Sequence, residues 1–338
     1  MKITTKNKYD LLKYDSIKRM IQAMRAKRSG VPAPSTEKGF LTYIYRFVIF
    51  FSKERGKFFS PDDIIAERKQ HWLSTDDDVR RQHEETAVRF MNMLGSERTR
   101  GKIASSGKVA FALTAVRAFY RENYRELKGI TTPAVTTETT YKVPTPEELV
   151  VACEQVRENN KRLLTWMLCD KDSGMSPGDL LNLTGQEESA CFGTILKQLK
   201  KGQIPVHIHI IRQKTKAKGL GFYDTFLGED GAEALQDFLH RRRRIRKLFN
   251  IGDRMLQIEF AQLAKELGWK NFVPKSCRKF FKSELTFKSD LKNVWTEYFM
   301  GHSIKKQELA YLVEALKDRP EEMAAIYNKN YKHLKLPF

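Results

Sequence analysis

The sequence has few cysteines, no long apolar run and fewer acidic than basic side chains. Its four cysteines lie far apart without Cys-x-x-Cys spacing, which argues against a disulfide framework or a zinc module and favours a reducing cytoplasm. No segment approaches the ~18 apolar residues of a membrane span, and the N-terminal segment lacks the apolar core of a secretory signal. Asp and Glu number 41 against 61 Lys and Arg, so the formal net charge is +20. We therefore expect a cytoplasmic protein that binds a polyanion or an anionic surface.

The length of 338 residues corresponds to about two domains. The clearest boundary is residues 131–146, where threonines and prolines without helical period predict an extended linker. We assign a basic arm to residues 1–30 and a helical domain to residues 31–130. Residues 147–338 form the second domain. The predicted fold class is therefore mostly α with a small β-hairpin or sheet.

Apolar periodicity predicts most of the helices. In the first domain, a Ser-Pro-Asp-Asp segment predicts a helix that begins at Pro61, and a helix after residues 74–78 should bury an apolar stripe (Ala87, Phe90, Met91 and Leu94). Alternation predicts that Ile204–Gln213 and Gly221–Leu227 form the strands of the hairpin. The remaining predicted helices span 39–53, 105–127, 147–170, 177–183, 231–249, 256–267, 275–285, 291–300 and 306–316.

Three short segments occur in a distinctive order in the second domain. They read DSGMSPGDLLNL from Asp172, PKSCRKFF from Pro274 and FMGHS from Phe299, and Tyr311 follows nine residues after His302. In this order and spacing they resemble the catalytic domain of tyrosine recombinases, the phage-integrase and Xer superfamily. The stretches FFSPDD and AVRAFYRENY in the first domain resemble the core-binding domain of archaeal-type integrases.

This resemblance implies a fold, an activity and an assembly. The fold would be a two-domain C-shaped clamp around duplex DNA, with an all-α core-binding domain and a mixed α/β catalytic domain. The activity would be site-specific recombination or integration, typical of a mobile genetic element, through a 3′-phosphotyrosyl intermediate and without a metal or other cofactor. The partners would be double-stranded DNA and further copies of the chain in a synaptic tetramer, in which the segment after Tyr311 docks on a neighbour.

The resemblance also implies roles for individual residues. Tyr311 would be the nucleophile, which needs help because a phenol with a pKa near 10 is weakly nucleophilic. Arg278 would clamp the scissile phosphate in fork geometry, and His302 would hydrogen bond to it and position Tyr311. Tyr327 and Tyr331 are alternative nucleophiles, but they lie too far downstream for the family's spacing.

Lysines fill two further positions of the family's site. Lys275 takes the place of a family histidine, where it would orient the phosphate or relay a proton. Lys214 matches the lysine of the hairpin that protonates the leaving 5′-oxygen, and Lys216 and Lys218 in the same turn remain alternatives for that role.

One catalytic position departs from the family. The first catalytic arginine belongs two residues after the glycine of the first segment, where this chain has Ser176. The loss of one preorganised donor typically lowers the rate by about 10²–10³. Either another cation, such as Lys171 or Arg212, compensates, or the chain is a catalytically weakened relative that binds DNA in an architectural or regulatory role.

Basic clusters supply the expected DNA contacts. The strongest is an arginine-rich stretch that continues a predicted helix, and a weaker one is Lys18–Arg28. A membrane-surface protein is a poorer explanation, because the chain lacks a long basic amphipathic helix. His207 and His209 share a strand face, but without a third ligand we assign no metal site. The residues expected to contact DNA are Arg241, Arg242, Arg243, Arg244, Arg246, Lys247, Lys216 and Lys218.

Overall fold

The structure is a computed structural model that describes residues 7–26, 34–99, 102–103, 105–131, 141–189, 191–211, 222–240, 247–302, 304 and 319–338. The chain divides into two compact units, Met1–Glu138 and Thr139–Phe338. This division falls within the stretch that we assigned to a linker. Within the described ranges, every helix is too short or too polar to cross a lipid bilayer.

The described residues of unit 1 are helical or irregular apart from one short antiparallel ladder. The ladder pairs β1 (Arg98–Thr99) with β2 (Lys102–Ile103). A 3₁₀ helix at Lys8–Lys13 comes first. The helices are α1 (Asp15–Ala26), α2 (Pro34–Glu54), α3 (Pro61–Trp72), α4 (Asp77–Ser96) and α5 (Ser106–Arg121).

The predicted starts of α3 and α4 are confirmed, whereas α2 begins at Pro34, five residues before its predicted start at residue 39. Ser60 Oγ accepts a hydrogen bond from the Asp63 N–H, and the Asp63 carboxylate accepts one from the Ser60 N–H, which forms a capping box ahead of Pro61. Asp76 caps α4 by accepting from the Asp78 N–H at 2.9 Å. The stripe predicted on α4 is buried as expected.

The core of unit 1 forms around the aromatic side chains of α2. The Phe47 ring packs edge-to-face against Phe90 and Tyr120, with centroid distances of 5.3 and 6.1 Å. Helix α1 joins this core through Ile17, Met20 and Ile21. Residues Asp15–Ala26, which we had assigned to an arm, are therefore part of the unit, because the apolar face of α1 is buried there.

Unit 2 combines helices with two small antiparallel ladders. The ladders pair β3 (Glu188–Ser189) with β4 (Gly193–Thr194), and β5 (Val206–Ile211) with β6 (Phe222–Leu227). The helices are α6 (Pro146–Arg157), α7 (Lys161–Ser173), α8 (Pro177–Asn182), α9 (Ile195–Lys200), α10 (Glu229–His240), α11 (Asp253–Glu266), α12 (Lys275–Phe287), α13 (Asn293–Phe299) and α14 (Pro320–Tyr331).

Helix α7 is the centre of unit 2. Its side chains from Thr165 to Ser173 are all buried, and α6, α10, α12 and β6 pack around it. Gly174 ends the helix with a φ of +58°, and a Cβ there would lie 2.4 Å from the Phe281 ring on α12. The glycine of the first segment is thus needed both for the left-handed turn and for close approach to the second segment.

Several predicted boundaries differ from the observed ones. The helix predicted over 147–170 is two helices, because Asn160 caps the start of α7 by accepting from the Leu163 N–H at 3.0 Å. The helix predicted over 105–127 ends at Arg121. Helix α14, which we did not predict, packs Tyr331 against Gly228, where a Cβ would lie 1.9 Å from the ring. The helix predicted over 306–316 lies outside the described residues.

Candidate active site

The predicted phosphate clamp, Arg278, lies beside His302. Helix α12 buries Cys277, Phe280 and Phe281, which leaves Arg278 at the edge of the packed face and partly exposed. Its Nη2 donates to the carbonyl oxygen of Met300 at 3.0 Å and lies 2.6 Å from His302 Nε2. The structure therefore brings together two of the residues that the sequence predicted as catalytic.

The turn after α13 positions His302. Gly301 has a φ of +66°, and the His302 N–H donates to the Glu297 carbonyl oxygen at 2.8 Å. This turn directs the Met300 carbonyl towards Arg278 and projects the imidazole from the end of the helix. The His302 side chain is 37% exposed, so solvent or a ligand can reach it.

Glu297 extends the pair into a line of four charged or polar groups. Its carboxylate accepts a hydrogen bond from His302 Nδ1 and pairs with Lys282 Nζ at 2.6 Å. Lys282 lies one helical turn after Arg278 on α12, so the same helix supplies both ends of the line. We call this group of Arg278, His302, Glu297 and Lys282 the α12–α13 cluster.

Burial and neighbouring charges shift the pKa values of His302 and Glu297 in the α12–α13 cluster. Burial lowers the pKa of His302 below its ordinary value, and Arg278 acts in the same direction, while Glu297 opposes both. Burial raises the pKa of Glu297, but hydrogen bonds from Lys282 and His302 outweigh it, so the net shift is downwards. At neutral pH the imidazole is therefore neutral, with Nδ1–H donating to Glu297 and Nε2 accepting from Arg278.

Lys275 lies at the first position of α12. It is exposed, and its Nζ lies 5.8 Å from the centroid of the Tyr141 ring, while Lys279 Nζ lies 4.8 Å from the same ring. Helical spacing puts Lys275 one turn before Arg278. The structure does not place Lys275 in the α12–α13 cluster.

Ser176, at the position of the missing arginine, is the N-cap of α8. Its Oγ accepts from the Asp179 N–H at 3.2 Å and donates to the Asp179 carboxylate at 2.8 Å. The Tyr223 hydroxyl donates to the same carboxylate at 3.0 Å. The serine thus has a local structural role that an arginine side chain would not fulfil.

Lys171 does not compensate for the missing arginine. It is fully buried, with its Nζ bonded to Asp172, to Asp230 at 2.7 Å and to the Leu334 carbonyl oxygen at 2.8 Å. These three acceptors use all three donors of the ammonium group. Burial lowers the pKa of Lys171, but the two carboxylates outweigh it, so the pKa is raised and the lysine stays charged. Arg212 lies outside the described residues.

Other predicted site residues lie outside the described ranges. These are Tyr311, Lys214, Lys216, Lys218, Arg241, Arg242, Arg243, Arg244 and Arg246. Lys247, which is described, is exposed and donates from Nζ to Asn182 Oδ1 at 3.0 Å.

The two alternative tyrosines are both buried in unit 2. Tyr327 donates to the Asp172 carbonyl oxygen at 2.9 Å, and the Tyr331 hydroxyl accepts from the Asp230 N–H at 2.9 Å. Burial raises the pKa of both phenols, and Asp172 raises it further. In this structure neither hydroxyl is placed to attack a bound phosphodiester.

Sequence reasoning missed two acidic residues of unit 2. Glu297 lies five residues before His302, and nothing in its local pattern distinguishes it from a surface glutamate. Asp224 accepts from Tyr298 at 2.6 Å and bonds to His207 and His209 at 3.0 and 2.8 Å. A signal for Asp224 existed, because the hairpin register pairs it directly with His209.

Comparison with solved structures identifies the class of fold. Lambda integrase bound as a dimer to a COC′ core site matches with a TM-score of 0.55 at 11% identity, over 86% of this chain and 96% of that one. The Tn1549 transposon integrase in complex with transposon right end DNA matches with a TM-score of 0.54 at 13% identity, over 94% and 99% of the chains. XerH recombinase bound to difH matches with a TM-score of 0.50 at 13% identity, over 92% and 96%.

The chain therefore has the fold of tyrosine recombinases and integrases. No family model matches it, and no curated protein matches it in sequence. The predicted mostly helical architecture with a small hairpin is confirmed, as is the resemblance at the level of fold. The archaeal-type subdivision remains a prediction.

Proposed function

We propose that this chain is a site-specific DNA recombinase or integrase that cuts and rejoins duplex DNA through a 3′-phosphotyrosyl intermediate. The observation that carries the proposal is the contact between Arg278 and His302, 2.6 Å apart at an accessible edge of a tyrosine-recombinase fold. The structural neighbours are recombinases in complex with DNA, which supports duplex DNA as the partner. We extend the proposal to a synaptic tetramer, a cytoplasmic location and a role in the movement of a genetic element.

The proposed reaction is a phosphoryl transfer. The Tyr311 oxygen attacks the scissile phosphorus and gives up its proton to solvent water, and the bond from phosphorus to the 5′-oxygen breaks. The leaving oxygen takes a proton from Lys214, or from Lys216 or Lys218 in the same turn. In the rejoining step a 5′-hydroxyl attacks the phosphotyrosine and restores the phenol. The phosphodiester count is unchanged, so no nucleotide is consumed.

The α12–α13 cluster would bind the phosphate by exchanging partners. In the free protein the Arg278 Nη2–H is directed at the imidazole. A phosphate oxygen would compete for this donor, and its negative charge would favour protonation of His302 at Nε2. The imidazole would then donate to a second oxygen, while Glu297 stabilises the new charge through Nδ1–H. Glu297 is a positioning residue in this scheme, because it acts through His302.

A second candidate function is DNA binding with weakened cleavage. Two observations favour it. The Ser176 side chain caps α8, and the Lys171 side chain is fully buried in an ion pair. If no other cation contacts the phosphate, the site has one guanidinium where the family has two. The chain would then serve as an architectural or regulatory DNA-binding protein.

DNA binding itself is tested by a salt titration. With a net charge of +20 and basic segments at Arg241, Lys216 and Lys247, binding to duplex DNA should release counterions. The logarithm of the affinity should fall linearly with the logarithm of the salt concentration, with a slope of about −0.9 for each phosphate neutralised. An affinity that does not change with salt would contradict the basic-surface argument.

Cleavage is tested without knowledge of the target site. A pool of duplexes with random sequence around a single nick is incubated with the full chain, and protein–DNA species that survive denaturation in SDS are captured and sequenced. The recombinase proposal predicts covalent species enriched in one sequence, and their loss in Arg278→Ala. Tight DNA binding without any covalent species would favour the weakened relative.

A further inference from the structure

Unit 1 contains a group of three potential metal ligands that the proposed function does not use. Glu67 and His71 lie on α3, and His83 lies on α4. Glu67 Oε1 is 3.7 Å from His83 Nε2 and 4.0 Å from His71 Nε2. One ligand atom from each residue lies within 4.8 Å of the other two, and no other group of three among the described residues meets this criterion. We call these residues the α3–α4 cluster.

Helical spacing and packing bring the cluster together. Glu67 and His71 are four residues apart and share a face of α3. Arg68, on the same helix, is buried and pairs with Glu84 on α4, which holds the two helices side by side. His71 is in the last turn of α3, where the helix dipole favours a bound cation.

His83 has an unsatisfied ring nitrogen that faces the cluster. Its side chain is fully buried, and Nδ1 bonds to the Tyr120 hydroxyl at 2.9 Å. Among the described residues, Nε2 has no hydrogen-bond partner, and neither does His71 Nδ1. A buried nitrogen left in this state is costly. When Nδ1–H donates to Tyr120, Nε2 carries the lone pair and lies 3.7 Å from Glu67 Oε1. A metal-binding histidine likewise donates its other ring N–H to an outer-shell acceptor.

We propose that the α3–α4 cluster binds a divalent transition-metal ion, Zn²⁺ in the first instance. Nε2 of His83, a ring nitrogen of His71 and a carboxylate oxygen of Glu67 would be the protein ligands, with water in the remaining position. Ligands about 2.0–2.1 Å from a tetrahedral zinc ion lie about 3.4 Å apart. The two observed separations from Glu67, 3.7 and 4.0 Å, exceed this value by about 0.3 and 0.6 Å. All three ligand atoms lie within 4.8 Å of one another, so side-chain rotations would be needed to close the site.

Arg55 is the competitor for this site. Its Nε donates to Glu67 Oε1 at 2.9 Å, and its guanidinium packs on the Phe51 ring. Arg68 adds a second nearby positive charge, although Glu84 neutralises it. The proposal therefore predicts that Arg55→Gln strengthens zinc binding, because the substitution removes both the competing donor and the repulsion.

The test is titration of the EDTA-treated full chain with ZnCl₂ by calorimetry, repeated with CoCl₂, whose visible absorption reports tetrahedral coordination. We expect one cluster-dependent site for each chain, with affinity lowered at least about 100-fold in His71→Ala and Glu67→Gln, since even an outer-shell partner contributes about 10–100-fold. Gln70→Ala, an exposed neighbour on α3, is the matched control and should bind as the wild type does. Zinc should also raise the melting temperature of the wild type but not that of His71→Ala.

These variants avoid His83, whose substitution could unfold unit 1. The proposal is overturned if no zinc binds, or if the same affinity and cobalt spectrum persist in both His71→Ala and Glu67→Gln. Binding that is equally weak in Arg55→Gln and in the wild type would contradict the assigned competition. The readout is independent of DNA cleavage.

Discussion

Unit 2 contains two clusters of paired charges that differ in their exposure to solvent. In the first, Lys171 is fully buried and all of its donors are taken by Asp172, Asp230 and the Leu334 carbonyl. In the second, the α12–α13 cluster, Arg278 is partly exposed and His302 is 37% exposed. The first cluster joins α7 to the C-terminal segment and has no donor left for a ligand. The second is accessible to solvent, and we propose that it exchanges partners when a phosphate binds.

The burial of Lys171 leads to the largest expected effect on stability. Lys171→Met would leave Asp172 and Asp230 close together without a cation, which should lower the free energy of unfolding by about 3–5 kcal/mol. Lys282→Met is the matched control, because Lys282 is 45% exposed in its pair with Glu297, and it should cost about 0–1 kcal/mol. Urea denaturation measures both. Similar losses in the two variants would contradict the assigned difference between the clusters.

Arg278 should affect cleavage more than binding. Arg278→Lys keeps the charge but loses the planar fork, so single-turnover cleavage of a nicked duplex should fall by about 10²–10³, with DNA affinity nearly unchanged. Lys279→Met removes a charge from the next residue of α12 and should weaken binding while leaving the cleavage rate of bound DNA intact. The opposite pattern would place the phosphate at Lys279 and not at Arg278.

Ser176 tests whether the missing arginine can be restored. Ser176→Arg should raise the single-turnover cleavage rate by up to about 10²-fold, since it adds a preorganised donor. It should also lower the free energy of unfolding by about 1 kcal/mol, because the α8 cap is lost. Ser176→Ala loses the same cap without gaining a donor, so it should be destabilised but no faster. An unchanged rate in folded Ser176→Arg would mean that the site is arranged around the serine.

The substitution Glu297→Gln should lower the cleavage rate less than the substitution of Arg278 does. In Glu297→Gln the pKa of His302 should fall further, because Glu297 is the neighbour that opposes burial and Arg278. Cleavage should slow by about 10-fold, as for the loss of an orienting partner. The pKa of His302 is measured by NMR titration, with Glu233→Gln, an exposed glutamate on α10, as the control. A higher pKa in Glu297→Gln would contradict the assigned hydrogen bond.

The lowered pKa of His302 predicts that the stability of the protein depends on pH. The pKa of His302 is lower in the folded protein than its ordinary value near 6.5, so the unfolded chain takes up a proton first as the pH falls. The contribution of His302 to stability is therefore complete above about pH 6.5, the ordinary pKa of the group. It decreases as the pH falls from there towards the pKa of the folded protein. His302→Gln should remove this component of the pH profile, which urea denaturation at several pH values would show.

The sequence predicted the elements that have strong local signals. Ser60 and Pro61 predicted the start of α3, and the alternation of apolar and polar residues predicted the hairpin. Both signals are local, because caps and period-two patterns are set by neighbouring residues. The motif order also predicted that Arg278 and His302 belong to one site. The break at Asn160 was missed, since the apolar period continues across it. The roles of Lys171 and Glu297 were missed, because they depend on contacts with Asp230, Leu334 and Lys282 on other elements, which no local pattern encodes. Ser176 caps α8 within a Ser-Pro-Gly-Asp segment, so its role had the same kind of local signal as that of Ser60.

The central claim is that Tyr311 forms the covalent bond to DNA. Trypsin separates the three relevant tyrosines, because Tyr311, Tyr327 and Tyr331 fall in the peptides Gln307–Lys317, Asp318–Lys329 and Asn330–Lys332. The most direct test is mass spectrometry of the covalent species captured from the nicked pool after digestion with nuclease and trypsin. The account predicts a nucleotide adduct on the Tyr311 peptide and its absence in Tyr311→Phe, which should still bind DNA. An adduct on either of the other peptides, or one that survives in Tyr311→Phe, would contradict it.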